Sequence, residues 1–277
     1  MDFRELNEEE KRVIEEKGTE RPFTGEYVDH RGEGIYTCKK CGLGLYRPDN
    51  KFDSHCGWPS FDDYIEGTVK KQRDADGRRT EIVCARCGAH LGHVFHGEGY
   101  TPKDTRHCVN SISLQFVADQ DIAKAVFGGG CFWGVESSFQ KMPGVVATTV
   151  GYAGGDKKNP TYKEVCAGGT GHIESVEVEY DPSLLTYEKL LKYFFEIHDP
   201  AQYGRQGPDV GHQYQSAIFY QDEEQQRVSR EEIDKLKEQG VDVATVLLEG
   251  DTFWPAEDYH QDYYIKKGIA PTCNTGL

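Results

Sequence analysis

The sequence predicts two domains. Residues 1–118 are expected to be mostly β, arranged as two antiparallel sheets, and residues 119–277 to be α+β, arranged as a two-layer α/β sandwich. Three observations carry this. From Ile35 to Val117, short β-branched and aromatic runs are separated by Gly, Asp and Pro turns. Ala118-Asp119-Gln120-Asp121 is a polar break at which the character of the chain changes. Beyond it, amphipathic helical patterns alternate with strand patterns. A chain of 277 residues suits one large domain or two of ordinary size, and the break favours two.

The first element is a helix over about Asn7 to Glu16. Glu8, Glu9 and Glu10 suit its first turn, Val13 and Ile14 supply an apolar stripe, and Gly18 ends it. Pro22-Phe23-Thr24-Gly25-Glu26-Tyr27 turns into an extended segment. The strand candidates that follow are 35–37, 43–46, 68–70, 81–83, 93–95 and 111–117, with a hairpin loop at Asp74-Ala75-Asp76-Gly77. In the second domain Ala125, Val126 and Phe127 form a strand that runs into Gly128-Gly129-Gly130, and a helix follows from Cys131 through Lys141. A Gly-rich stretch lies at 150–155. Ile173 to Tyr180 alternates as a half-buried strand does. Thr186 caps a helix whose core stripe is Leu190, Leu191, Phe194, Phe195 and Ile197. A strand at 217–220, a polar helix from Asp222 to Gln239 stopped by Gly240, and a strand over 241–248 complete the pattern. The tail from Trp254 reads as aromatic and irregular. There is no internal repeat and no low-complexity segment.

A formal net charge of -15 argues against nucleic acid or an anionic membrane as partner. No apolar run approaches the roughly 20 residues that span a bilayer. The first 17 residues are densely charged and lack a secretory apolar core, so a cytoplasmic location is the expectation. The nine cysteines suit metal ligands and reactive thiols better than a disulfide framework. Only 2 methionines are present, Met1 and Met142.

Two C-x-x-C knuckles, Cys38-Lys39-Lys40-Cys41 and Cys84-Ala85-Arg86-Cys87, are each followed by glycine. Four thiolates from two such hairpins make a closed tetrahedral zinc site, structural because no position is left for a substrate. Paired redox dithiols, or iron in the same shell, are the alternatives.

The sequence is organised around Gly128 to Glu136. A strand, a glycine turn and a helix place Cys131 in the helix's first turn, where unpaired N–H groups and the helix dipole favour a thiolate. Phe132 and Trp133 set two apolar faces beside the sulfur. This reads as an activated nucleophile with an aromatic pocket; a buried cysteine at a helix start is the plainer alternative. In the first domain Cys56 and Cys108 remain after the zinc ligands. Arg106 precedes Cys108 and can favour its thiolate, and Trp58 lies near Cys56. His90 and His93 are candidate proton donors or water holders, with ordinary surface or zinc-neighbouring histidines as the alternative.

Larger motifs surround these residues. Thr19-Glu20-Arg21-Pro22-Phe23-Thr24-Gly25, Cys56-Gly57-Trp58-Pro59-Ser60-Phe61, His90-Leu91-Gly92-His93-Val94-Phe95 and Arg106-His107-Cys108-Val109-Asn110-Ser111 resemble the methionine sulfoxide reductase B family. Gly129-Gly130-Cys131-Phe132-Trp133-Gly134, Pro160-Thr161-Tyr162-Lys163-Glu164-Val165-Cys166, Gly169-Thr170-Gly171-His172-Ile173-Glu174 and His198-Asp199-Pro200 resemble methionine sulfoxide reductase A. The chain thus resembles a fusion of the two, B first. The two enzymes divide the epimers of oxidised methionine between them.

The resemblance implies a thiol-dependent reduction of methionine sulfoxide, free or in proteins. The S epimer would be handled by the second domain and the R epimer by the first. Each would pass through a sulfenic acid and an intramolecular disulfide that thioredoxin reduces. It implies Cys131 as nucleophile, Glu174 as acid, Tyr162 and Tyr214 as hydroxyl donors, Asp209 in support, and Phe132 and Trp133 around the substrate methyl. Cys273, on a Gly- and Pro-bearing tail, is the expected resolving thiol, with Cys166 as competitor. In the first domain it implies Cys108 as nucleophile, Cys56 as resolver, Trp58 as methyl pocket, His90, His93 and Asn110 at the oxygen, and Arg106 tuning the thiolate. His55 stands where the family usually has glycine, which bears on the mobility of the Cys56 loop. A zinc-based binding module and a thiol peroxidase or disulfide exchanger are the rival readings.

Overall fold

The computed structural model describes residues 3–250 and 252–272. The chain divides into two compact units, the first closing at Ile122 and the second opening at Ala123.

In the first unit α1 (Glu8–Ile14) begins with a capping box. Asn7 Oδ1 accepts from Glu10 N, and the Glu10 carboxylate accepts from Asn7 N, each at 2.9 Å. Val13 and Ile14 are buried, as the stripe required. The strands are β1 (Gly34–Cys38), β2 (Gly44–Tyr46), β3 (Lys51–Phe52), β4 (Ser60–Phe61), β5 (Val69–Arg73), β6 (Thr80–Cys84), β7 (His90–His96), β8 (Thr105–Val109) and β9 (Leu114–Ala118). They form a three-stranded sheet, β2-β1-β9, and a six-stranded one, β3-β4-β8-β7-β6-β5, with every pairing antiparallel. One apolar cluster draws on both: Tyr36 and Leu45 from the smaller sheet, and Phe61, Ile82, Leu91 and Val109 from the larger. The run 111–117 is not one strand. Ser111–Ser113 is a 3-10 turn, because the buried Glu20 carboxylate accepts the N–H groups of Ser111 and Ile112 before any ladder can.

The second unit holds β10 (Ala123–Gly128), β11 (Val145–Ala153), β12 (Ile173–Tyr180), β13 (Arg205–Gln206), β14 (Asp209–Val210), β15 (Ala217–Tyr220), β16 (Val246–Glu249) and β17 (Trp254–Pro255). Its helices are α2 (Phe132–Phe139), α3 (Tyr162–Ala167), α4 (Tyr187–Glu196), α5 (Glu223–Glu238) and α6 (Tyr263–Lys267). The sheet order is β16-β15-β10-β12-β11-β17, with β15 and β16 parallel and the other pairs antiparallel. This is a mixed α/β unit. Ala125, Phe127, Val176, Val178 and Ile218 pack with Val135, Phe139, Leu190, Leu191 and Phe194 of α2 and α4 in the main core. Val126, Ile173, Ala217 and Phe219, which alternate with them, form a separate small cluster.

Two expectations change. The strand over 241–248 is present only as β16, because Val243 N bonds Val241 O and Ala244 N bonds Pro200 O, which turns the backbone away from the ladder. The tail is not irregular throughout: Trp254 pairs with Tyr152 in the sheet, and α6 follows.

Candidate active sites

The glycine triplet is explained by contact and by backbone. A Cβ on Gly128 would lie 2.6 Å from Ile173 Cγ2, and Gly130 has φ +89, a conformation that side chains disfavour. Cys131 is the N-cap of α2, one step outside the predicted first turn. It is buried, and its carbonyl accepts from Gly134 N at 3.1 Å. The next N–H, that of Phe132, donates to Glu174 Oε2 at 3.1 Å. Glu174 Oε1 is buried with no hydrogen-bond partner among the described residues.

Glu174 is only 2% exposed. It lies on the strand face of Val176 and Val178, while Ile173 belongs to the opposite cluster. The phase of Val176, Val178 and Tyr180 therefore already marked Glu174 as inward; Ile173 obscured it by being buried on the other side. Burial pushes the Glu174 carboxyl up to about 8, Asp209 adds to the rise, and the Phe132 N–H opposes it. Tyr214 ends a short turn after β14. Burial raises its phenol, and Glu174, Cys166, Asp209 and Cys131 around it raise it further. Tyr162, at the start of α3, is raised by burial, by its bond to Cys166 and by Glu174. The structure thus brings together Cys131, Glu174, Tyr162, Tyr214 and Asp209. Cys166 is exposed beside Tyr162. Cys273 lies outside the described residues.

Phe132 is buried and Trp133 partly so. Trp133 stacks on Tyr263 with centroids 3.9 Å apart. The tail supplies residues that the sequence reading missed. Glu257 accepts from Tyr152 Oη at 3.0 Å and Tyr162 N at 3.1 Å, and His260 Nδ1 accepts from Trp133 Nε1 at 3.2 Å. Their signal was available: Glu257, His260 and Tyr263 recur every three residues.

In the first unit Cys108 sits on β8 between Ser60 of β4 and His93 of β7. The sulfurs of Cys56 and Cys108 are 3.8 Å apart. The hydrogen bond from the Cys108 thiol, with Ser54 and Ser60 assisting, draws Cys56 down to about 4. Cys56 beside it, and then burial, push Cys108 up. Arg106 Nη1 reaches Cys56 at 3.4 Å, and its charge favours the ionised form of Cys108 too. Glu98 grips the guanidinium with two bonds of 2.7 and 2.8 Å, and Phe95 lies under it at 4.6 Å.

His93 Nε2 is 2.7 Å from Asp74 Oδ2, and buried His90 Nδ1 is 2.7 Å from Glu81 Oε1. His90 Nε2 has no hydrogen-bond partner among the described residues. Asn110 is buried and engaged with backbone: Oδ1 accepts from Glu20 N at 3.1 Å and Nδ2 donates to Leu91 O at 3.2 Å. Glu20 O in turn accepts from Trp58 Nε1 at 3.2 Å, so Asn110 bears on the tryptophan through Glu20.

His55 has φ +57, the left-handed region where glycine is free of strain. Its N–H bonds Asp53 Oδ1 at 2.8 Å, which holds the turn. His55→Gly is expected to raise stability of the first unit by less than about 1 kcal/mol, read as a denaturant midpoint, since relief of strain is offset by backbone entropy.

The four knuckle sulfurs lie within 4.8 Å of one another, with Cys38–Cys87 and Cys41–Cys84 at 3.6 Å. A tetrahedral ion with bonds of about 2.3 Å needs sulfurs about 3.8 Å apart, so the set fits zinc in size and chemistry. The knuckles repeat each other. Gly42 N bonds Cys38 O at 2.8 Å and Gly88 N bonds Cys84 O at 2.9 Å, with φ +77 and +72 at the two glycines.

Comparison with known proteins accounts for both units. Residues 123–276 match the family described as "Peptide methionine sulfoxide reductase", and residues 6–118 match the "SelR domain". The peptide methionine sulfoxide reductase MsrA of Nautilia profundicola is 51% identical over 150 residues, covering 54% of this chain and 87% of that protein. MsrA of Methanothermobacter thermautotrophicus is 52% identical over 146 residues, covering 52% and 86%. Among solved structures, Mxr1 from Saccharomyces cerevisiae in reduced form is 32% identical with a TM-score of 0.54, covering 57% of this chain and 93% of that one. No helix among the described residues is long and apolar enough to cross a membrane.

Proposed function

Since this chain belongs to the peptide methionine sulfoxide reductase family, with a SelR domain ahead of the reductase domain, we propose that it reduces both epimers of methionine sulfoxide, free or in proteins. The S epimer is assigned to the second unit and the R epimer to the first. The observation that carries the reading is Glu174: a buried carboxyl, bonded through one oxygen to the residue after Cys131, with its other oxygen unpartnered.

In the second unit the Cys131 thiolate attacks the sulfoxide sulfur. Glu174, neutral below about pH 8, gives its proton to the sulfoxide oxygen while the phenols of Tyr162 and Tyr214 hold it. The sulfur–oxygen bond breaks, the hydroxyl passes to the Cys131 sulfur as the new sulfur–sulfur bond breaks, methionine leaves as the thioether, and Cys131 is left as sulfenic acid. Phe132 and Trp133 take the methyl group, and Asp209 supports the raised Glu174. A second thiol, which we assign to Cys273, condenses with the sulfenic acid to a disulfide and water. An external dithiol, thioredoxin, takes the disulfide's oxidising equivalents by exchange.

In the first unit the Cys108 thiolate, favoured by the charge of Arg106, attacks the sulfoxide sulfur, with the resolving Cys56 sulfur 3.8 Å away. His93, backed by Asp74, protonates the oxygen, with buried His90 beside it at 5.5 Å between rings. Trp58 walls the methyl site, and Asn110 acts by holding Glu20 beneath it. The Cys56 thiol condenses with the Cys108 sulfenic acid to a disulfide and water. Arg106 offsets the charge that passes between the sulfurs. Zinc, when bound by Cys38, Cys41, Cys84 and Cys87, supplies fold stability alone. Thiol chemistry of this kind suits a reducing compartment, and we place the protein in the cytoplasm.

The test is Glu174→Gln assayed on each epimer. Loss of the acid is expected to lower kcat on the S epimer by about 10²-fold or more and to leave the R epimer unchanged. In the unsubstituted enzyme, Glu174 is protonated below about pH 8 and ionised above it, so S-epimer turnover should fall as pH rises through about 8. The variant should lack that fall. A variant with full S-epimer turnover would remove Glu174 from the mechanism.

A further inference from the structure

We propose that His260 is a positioning residue of the Cys131 site and fixes the methyl pocket by locking the Trp133 indole. The inference rests on the reading of that site as a sulfoxide reductase and adds a residue to it. His260 is 1% exposed, its ring packed behind the Trp133 indole that it bonds. Trp133 Nε1 is a donor only, so His260 Nδ1 at 3.2 Å must be the acceptor and the ring proton must sit on Nε2. Burial lowers the pKa of His260, which keeps Nδ1 a lone pair. The Trp133 face is stacked on Tyr263, so one short segment grips the indole at its edge and its plane. The His260 ring also lies 5.2 Å from Phe132 and 4.4 Å from Tyr162, the other pocket face and an oxygen-holding phenol.

Three residues before His260, Glu257 ties the same segment to Tyr162 N and Tyr152 Oη. The segment thus reaches the methyl wall and the start of α3 together. An indole without its edge bond keeps its stacking partner but gains freedom to rotate away from the position a methyl group needs. Such a loss weakens substrate binding before it weakens proton transfer, because Glu174 has no bond to the segment.

Three variants and one direct measurement test this. His260→Phe keeps a flat ring and removes the acceptor; kcat/KM on the S epimer should fall about tenfold, mostly through KM. His260→Gln keeps an acceptor and should retain most of the activity. In a Trp133→Phe background, which has no indole N–H, adding His260→Phe should cost less than about twofold further, because the shared bond is already gone. In the unsubstituted 15N-labelled protein, Trp133 Nε1 and His260 Nδ1 should show a coupling across their hydrogen bond. That arm needs neither turnover nor a folded variant. Full additivity of the two substitutions, or the absence of the coupling, overturns the proposal. No S-epimer reduction by the unsubstituted enzyme, with the coupling present, instead overturns the functional reading while the indole lock stands.

Discussion

Cys131→Ser is expected to lower S-epimer reduction by at least about 10³-fold and to leave R-epimer reduction within about twofold, with Cys108→Ser doing the reverse. A hydroxyl is a far weaker nucleophile than a thiolate at neutral pH, and among the described residues the other cysteine of the second unit, Cys166, is exposed beside Tyr162. The order of the first unit's sulfurs gives the reciprocal variant a second signature. With Cys108 as serine, Cys56 loses the thiol that lowers it, so its ready alkylation at mildly acidic pH should disappear. Cys56→Ser is expected to differ from Cys108→Ser. It should permit one turnover at most and leave Cys108 as a sulfenic acid that a dimedone-type reagent traps. Loss of both epimer activities in either nucleophile variant would argue against two reaction centres.

Cys84→Ser has the second large effect. A structural zinc contributes on the order of 10 kcal/mol, comparable to the whole stability of an ordinary domain. Loss of the buried Cys84, one of the four thiolates, should leave the first unit largely unfolded, with zinc content near zero and R-epimer activity lost. S-epimer reduction should persist, because the cores of the two units are built from separate residue clusters. Zinc analysis beside circular dichroism and the two epimer assays checks this. Parallel loss of both activities on zinc removal would show one cooperative unit in place of two.

Much of this was readable in the residues, for physical reasons that differ from place to place. The knuckles were legible because spacing alone brings four sulfurs together, and the repeated glycine turn is a local backbone requirement. The strand–glycine–helix path into Cys131 was legible for the same local reason, except that Cys131 caps the helix. Glu174 was legible only in kind. Alternation left it open to a solvent-facing reading, and what buries it is the packing of α2 and α4 on its face of β12. Two-residue strands such as β3 and β4 carry no periodic signal; β3 is placed by pairing with β4, and β4 by pairing with the distant β8. The tail failed most clearly. Its aromatic composition read as irregular, and the three-residue spacing of Glu257, His260 and Tyr263 showed only in the structure as contacts with groups from elsewhere in the unit. At the Cys56–Cys108 pair the sequence set Arg106 beside Cys108, and Arg106 also reaches Cys56, a contact that chain order does not show because the two cysteines meet only through the fold.

The most direct measurement follows an equal mixture of the two sulfoxide epimers on a peptide to its end point, with excess dithiol reductant. The unsubstituted enzyme should consume the whole mixture. Cys131→Ser should stop at half with the S epimer left, and Cys108→Ser should stop at half with the R epimer left. An unsubstituted enzyme that stops at half, or a single variant that still consumes the whole mixture, would contradict two independent centres of opposite stereochemistry.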